Sequence, residues 1–258
     1  MRRRYRSRVE LRPTSVMIGI FMLLISGIGL TVNAGENDSE QLQREIERTL
    51  QGRAYRWIEV SVEGSVGTLR GRVPDMWARN QAVQRAQRVK GLTKINDLLI
   101  VPKGESDAVV AEAIATAIRR YPHYTLWDHV TGRVVNGVVF LEGYVTPDRR
   151  KATALFERVA RVKGVQAIKS SLVTLSPSQR DRQIRHSIAR RLRNNIHFER
   201  VARMVHPPFH IVVQNGHVTL VGNVTTAAER IELQRLVAHT AGVLRVNNHL
   251  NTIRTKRL

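Results

Sequence analysis

The chain has 258 residues, 42% of them hydrophobic, enough to build real cores but leaving each of three domains small. Lys and Arg number 42 against 21 Asp plus Glu, a formal charge of +21 that favours an anionic partner such as lipid headgroups, polymer or nucleic acid. Cysteine is absent, which excludes disulfides, thiolate metal sites, a cysteine nucleophile and the lipid-modified cysteine of a bacterial lipoprotein.

At the N-terminus, Arg2, Arg3, Arg4, Arg6, Arg8 and Arg12 precede an apolar run from Val16 to Leu30. Val32 and Ala34 suit the −3 and −1 positions of a signal-peptidase site, so residues 1–34 read as a signal peptide cleaved before Gly35, and export to the periplasm is expected. The alternative is an uncleaved signal anchor over residues 16–32, since the run approaches the roughly 20 residues that span a bilayer.

Beyond this segment the sequence repeats. Asn136-Gly137-Val138-Val139-Phe140-Leu141-Glu142-Gly143-Tyr144-Val145 matches Asn215-Gly216-His217-Val218-Thr219-Leu220-Val221-Gly222-Asn223-Val224 at both glycines, a Val, the Leu and the final Val. A degenerate first copy, Gly64 to Val73, keeps Leu69, Gly71 and Val73. Asn-Gly between alternating apolar runs predicts a β-hairpin closed by a type I′ turn, because both residues accept positive φ. A helical stretch follows in each copy and ends at Gly91, Gly164 or Gly242, read as the left-handed C′ residue leading into a last strand around Ile95, Ile168 or Val246.

Upstream of each hairpin, apolar residues recur every four positions: Leu42, Ile46 and Leu50; Val110, Ile114 and Ile118; Ile184, Ile188 and Leu192. Each set makes one apolar helix face. The predicted fold class is therefore α+β, with three tandem α-β-β-α-β units over residues 37–102, 105–176 and 178–254, each packing two helices on one face of a small mixed sheet. Between first helix and hairpin the copies diverge. Repeat two inserts Tyr121, Tyr124 and Trp127, expected to close a core under a loop, with a place at a lipid interface the alternative, and repeat three inserts His197 to Pro208.

This succession of helix, Asn-Gly-x-Val-x-Leu-x-Gly-x-Val, helix and Gly-Val resembles the BON domain, over about Asn37 to Ile253. The resemblance implies a tandem module of bacterial periplasmic and envelope proteins, including osmotic-stress proteins, associated with binding phospholipid membranes. It implies no enzyme and supplies no catalytic residue. Gly71, Gly91, Gly137, Gly143, Gly164, Gly216, Gly222 and Gly242 read as fold determinants.

The charge is uneven. Residues 178–258 carry fourteen basic and four acidic residues, +10, against +3 in each of residues 35–104 and 105–177. The first helix of repeat three holds Arg180, Arg182, Arg185, Arg190, Arg191 and Arg193 with only Asp181 opposed, and the 100° helical step turns Arg182, His186, Arg190 and Arg193 outward. Arg182, Arg185, Arg190, Arg191 and Arg193 are the candidate lipid- or anion-binding residues, with Arg149, Arg150 and Lys151 a second set. The second set stands at a helix N-terminus, where basic residues oppose the dipole.

Seven of nine histidines fall in repeat three: His186, His197, His206, His210, His217, His239 and His249. Their spacing carries no metal-ligand pattern, so no metal or cofactor is expected; below about pH 6.5 their protonation would add positive charge. No nucleophile elbow or phosphate-cradling loop is present. The expected partner is anionic phospholipid or another envelope polymer. A scaffold that docks envelope proteins is the alternative, and nucleic acid is disfavoured by export and by the lack of repeated aromatic platforms.

Overall fold

The computed structural model describes residues 34–104 and 106–253, so the proposed signal segment through residue 33 lies outside the described residues. The first unit runs α1 (Ala34–Thr49), β1 (Ile58–Glu63), β2 (Val66–Arg72), α2 (Met76–Gln87) and β3 (Lys94–Ile100). The second runs α3 (Asp107–Arg119), β4 (His129–Val135), β5 (Val138–Val145), α4 (Lys151–Ala160) and β6 (Ala167–Thr174), with a short 3₁₀ turn at Asp148–Arg150 ahead of α4. The third runs α5 (Gln179–Arg193), a one-turn α6 (Glu199–Ala202), β7 (Phe209–Gln214), β8 (His217–Val224), α7 (Ala227–Ala238) and β9 (Arg245–Thr252). In every unit the middle strand pairs antiparallel with the hairpin partner and parallel with the last strand. This is the α+β, three-unit architecture expected from the repeat.

Side chains explain the elements. Asp75, Ser106, Ser178 and Thr226 each accept a backbone N–H from the first turn of the helix they precede. The predicted stripes Ile46/Leu50, Val110/Ile114/Ile118 and Ile184/Ile188/Leu192 are buried, and they meet Leu69, Leu141 and Leu220 of the middle strands, which have no exposed surface. Both residues of the Asn136-Gly137 and Asn215-Gly216 turns have positive φ, as a type I′ turn requires. In the degenerate copy only Gly64, the first residue of the turn, has it.

Each well-formed turn is also clamped from below. Asp107 accepts the backbone N–H groups of Asn136 at 2.6 Å and Gly137 at 2.9 Å, and Asp181 accepts those of Asn215 at 2.8 Å and Gly216 at 2.9 Å. Both carboxylates stand three residues before the first apolar residue of their helix, where repeat one has Ser39.

The glycines of the middle strands, Gly71, Gly143 and Gly222, have φ of 124°, 131° and 113°. A Cβ on them would overlap the backbone of Trp57, His129 or Pro208–Phe209 on the neighbouring strand. The glycines before the last strands require a correction. Their helices end at Gln87, Ala160 and Ala238 with caps Arg88, Arg161 and His239, so Gly91, Gly164 and Gly242 lie three residues past the cap and not at C′. The chain makes a further turn first, with Val89 N–H bonded to Ala86, Val162 to Val159 and Thr240 to Val237. The glycines do have the expected positive φ, 99°, 89° and 91°, and they also supply room: a Cβ would lie 3.1 Å from Leu42, 3.0 Å from Val110 or 3.1 Å from Ile184, the first residue of each apolar stripe, and at Gly164 also 2.5 Å from the Gly104 Cα.

The units are joined by specific contacts. Met76 packs against the second core, the Arg161 guanidinium lies 3.6 Å from the centre of the Trp77 ring, and Gln166 Nε2 donates to the Pro102 carbonyl at 2.9 Å. At the next junction, Ile211 N–H donates to the Leu126 carbonyl, and Leu126 and Trp127 pack on the third core. Tyr121 and Tyr124 are buried in the second core. His210 lies in β7, with its ring 5.2 Å from that of Tyr124 and 6.0 Å from that of His129. Its Nδ1 has no hydrogen-bond partner among the described residues. Burial pushes the imidazole down to about 4, the His129 charge acts in the same sense, and a hydrogen bond with the Thr125 backbone opposes both.

Two predictions follow from these contacts. Gly143→Ala adds a Cβ against the His129 carbonyl at φ 131° and is expected to cost more than about 2 kcal/mol. Gly52→Ala, at φ 124° with nothing within 4 Å, is expected to cost about 1 kcal/mol in the same urea titration. For His210, the unfolded imidazole takes up its proton near 6.5 and the folded one only near 4, so stability present above pH 6.5 is lost as pH falls towards 4. The loss reaches about 3 kcal/mol, and unfolding curves at pH 7 and 4.5 should converge for His210→Phe relative to the unsubstituted chain.

Candidate functional site

Helix α5 is fixed at its start by Ser178 Oγ, which accepts the Asp181 N–H at 3.2 Å, and along its inner face by Ile184, Ile188 and Leu192, each no more than 1% exposed. Arg182, His186, Arg190, Arg191 and Arg193 are consequently exposed. Three of them occupy the last turn, where the negative end of the helix dipole favours cations, so they stand there without costing the helix stability.

The C-terminal half of α5 faces α7 across an open groove of about 960 Å³. Arg190 and Arg191 line one side, and Arg235 and His239 line the other. The floor is apolar, with Ala228, Leu236 and Ile231, the last 59% exposed. The acid in the groove, Glu232, is held by Asn195 Nδ2 at 2.8 Å and lies 3.8 Å from His197 Nε2. None of the three guanidiniums forms an ion pair among the described residues. The arrangement presents three cations and an imidazole above an aliphatic floor, which suits an anionic group attached to an apolar body.

Arg235, His239 and Ile231 escape a reading confined to α5. The signal for them is in the second helix: Ala228, Ile231, Glu232, Arg235 and His239 recur at helical spacing on one face, opposite the buried Leu233 and Val237. The groove's charge belongs to this unit. The positions equivalent to Arg190, Arg191 and Arg235 in repeat two, counted from the aligned stripe and glycine, are Thr116, Ala117 and Glu157.

The other candidates lie elsewhere. Arg182 and Arg193 are exposed on α5 outside the groove lining. Arg185 is half-buried; burial lowers its pKa while the Asp181 and Asp148 carboxylates oppose the shift, which ties it to the junction with repeat two. Arg149 and Arg150 are exposed on repeat two, both in the left-handed region at φ 57° and 48°.

Lys151 is a correction. It is 2% exposed, with Nζ 2.8 Å from Asp128 Oδ2 and 2.7 Å from Thr146 Oγ1. Asp128, with no exposed surface, also accepts Thr146 N–H, Thr146 Oγ1, Thr125 N–H and Thr125 Oγ1. As the first residue of α4, Lys151 follows a sharp turn that swings its side chain inward under β4 and β5, so it is a structural residue and not a lipid contact. Among the histidines, His210 is half-buried, with its Nδ1 enclosed.

Among the described residues no helix is long and apolar enough to cross a membrane, and no three His, Asp or Glu converge as a metal site would need. The family model of the BON domain matches the chain three times, over residues 36–103, 106–175 and 180–254. No curated protein matches. Two solved structures of CdsD, a structural protein of the type III secretion system of Chlamydia trachomatis, are similar to the chain at 13% and 14% identity. They cover 82% and 83% of this chain and 97% and 94% of theirs, with TM-scores of 0.25 and 0.24, too low for the overall arrangements to be compared.

Lys151→Ala leaves the Asp128 carboxylate buried without its cation and is expected to cost about 3–5 kcal/mol in chemical unfolding. Arg150→Ala, on the adjacent exposed residue, is expected to change stability by less than about 1 kcal/mol in the same measurement.

Proposed function

The chain belongs to the BON domain family, as three BON domains in tandem, and from that premise we propose that it is an exported, non-enzymatic binding protein of the bacterial cell envelope. Its third repeat contacts anionic phospholipid surfaces, in envelope maintenance or protection under osmotic stress. The observation that carries this reading is the groove between α5 and α7, where Arg190, Arg191 and Arg235 converge over an apolar floor. Export is supported by the arginine-led apolar run before Ala34. Each cation near an anionic surface contributes about 1 kcal/mol, so these three, as part of the +10 on repeat three, give useful, salt-sensitive and reversible binding.

A second reading, a scaffold for envelope proteins, has its own support. The sheet faces away from the helices expose Leu98 and Ile100 in the first unit and Tyr144 and Val173 in the second.

Cosedimentation separates the two. The chain lacking residues 1–34 is expected to pellet with vesicles of equimolar phosphatidylglycerol and phosphatidylcholine but not with phosphatidylcholine alone, and to be released by salt. Arg190→Glu, Arg191→Glu and Arg235→Glu together are expected to weaken binding at least about 100-fold, whereas Arg149→Glu with Arg150→Glu changes it less than tenfold. Equal pelleting with both vesicle types, or none with either, counts against the lipid reading and favours the scaffold.

A further inference from the structure

We propose that the connection between α5 and β7, residues 194–208, is a hydrophobic insertion element that enters the interfacial layer of the anionic bilayer beside the groove. The inference rests on the lipid reading above and adds to it a part of the chain that does not act through charge.

The connection is where the three units differ most, and it behaves differently in each. In the first two it turns aromatic rings inward: Tyr55, Tyr121 and Tyr124 are 6%, 6% and 9% exposed. Repeat one also leaves Trp57 outside, with the Arg56 guanidinium 5.0 Å from the centre of its ring. In repeat three Val201 packs against the core, and the other large aliphatic side chains point out. Ile196 is 86% exposed, Val205 71% and Met204 38%, with Ile253 from the end of the third unit adding 54%.

The core beneath does not lack filling. Phe198 and Phe209 are each 1% exposed and meet edge to face at 6.1 Å, so inward space is already taken. Ile196, Met204 and Ile253 border a depression of about 370 Å³ lined also by these rings and by Arg200, Asn223 and Glu229. Such exposure is unfavourable in water and becomes favourable once these side chains enter an apolar phase.

Charge identifies that phase. Arg200 and Arg203 lie within the connection, and Arg190, Arg191 and Arg193 directly precede it. Glu199 and Arg203 pair at 2.6 Å and cancel, and Glu229 and Glu232, which accept from the Thr225 N–H and from Asn195, keep their charge, so the excess rests on Arg190, Arg191, Arg193 and Arg200. The groove and the depression adjoin through residues 195–197 and α7. Cations at headgroup level with aliphatic side chains just beyond them is the arrangement of interfacial membrane elements. Four aliphatic side chains fall well short of the roughly 800 Å² per partner that a stable protein interface buries.

The absence of cysteine makes the test direct. Ile196→Cys, Val205→Cys and, as a control on the first sheet, Ser61→Cys each carry one environment-sensitive fluorophore. With vesicles of equimolar phosphatidylglycerol and phosphatidylcholine, the labels at 196 and 205 are expected to shift to the blue and to be quenched by lipids bearing shallow nitroxides, and the label at 61 to do neither. Ile196→Asp with Val205→Asp is expected to keep pelleting at low salt. At about 0.5 M salt, where charge attraction is screened, it should lose roughly tenfold or more of the residual binding. Pelleting without any change in the 196 and 205 labels overturns the insertion while the lipid reading stands. No pelleting with anionic vesicles at any salt overturns the lipid reading and the insertion with it.

Discussion

In each unit the first helix lies directly against a glycine in the turn that precedes the last strand, Leu42 on Gly91, Val110 on Gly164 and Ile184 on Gly242. That contact sets how close the helix approaches the sheet. Once Ile184 is seated, Ile188 and Leu192 follow it into the core over Leu220, and the rotation of α5 is decided. The arginines then have no choice of face. In repeats two and three an aspartate one turn earlier accepts both N–H groups of the hairpin turn, so the helix start and the hairpin tip are held as one piece. The groove between α5 and α7 inherits its shape from these two constraints, neither of which involves a groove residue.

Basic residues in this chain divide according to whether a core or a junction between units holds them. Lys151 is consumed by Asp128 and Thr146, Arg161 by the Trp77 ring, and Arg185 is half-buried beside acids of repeat two. Each serves a core or a junction, where a cation is tolerated because a carboxylate or a ring face compensates its lost hydration. Arg190, Arg191 and Arg235 have no such compensation within the described residues and stay hydrated. A formal charge of +21 therefore overstates what a ligand meets, and the location of the uncompensated part is more informative than the sum.

Much of the fold was legible because it rests on short-range signals. Asn136-Gly137 and Asn215-Gly216 announce their turns, and stripes at every fourth residue announce the first helices. Gly91, Gly164 and Gly242 mark the end of each helix in the sequence but stand one further turn beyond it, since a glycine after a helix fits a C′ position equally well until the cap is known. Lys151 was misread for a different reason. Its neighbours Arg149 and Arg150 are exposed, and only the two left-handed residues before it send its side chain inward, a reversal that the sequence does not mark. Arg235 and His239 escape a reading of α5 because the groove is made by two helices separated in sequence by residues 194–226, although Ile231 on their face is a usable sign.

Concentrating +10 on one small unit raises its self-repulsion, and the placement of the charge limits that cost. Three arginines stand in the last turn of α5, where the helix dipole favours them, and Arg235 stands in the last turn of α7, where the same holds. Both helices thus end in cations on the same side of the unit, and the termini that best accept positive charge are the ones that border the groove. The helix dipole thus tolerates these cations, which explains how a repeat that shares its backbone design with two copies of only +3 each carries so different a surface. The unit can lose these charges without losing its core, because no buried residue depends on them.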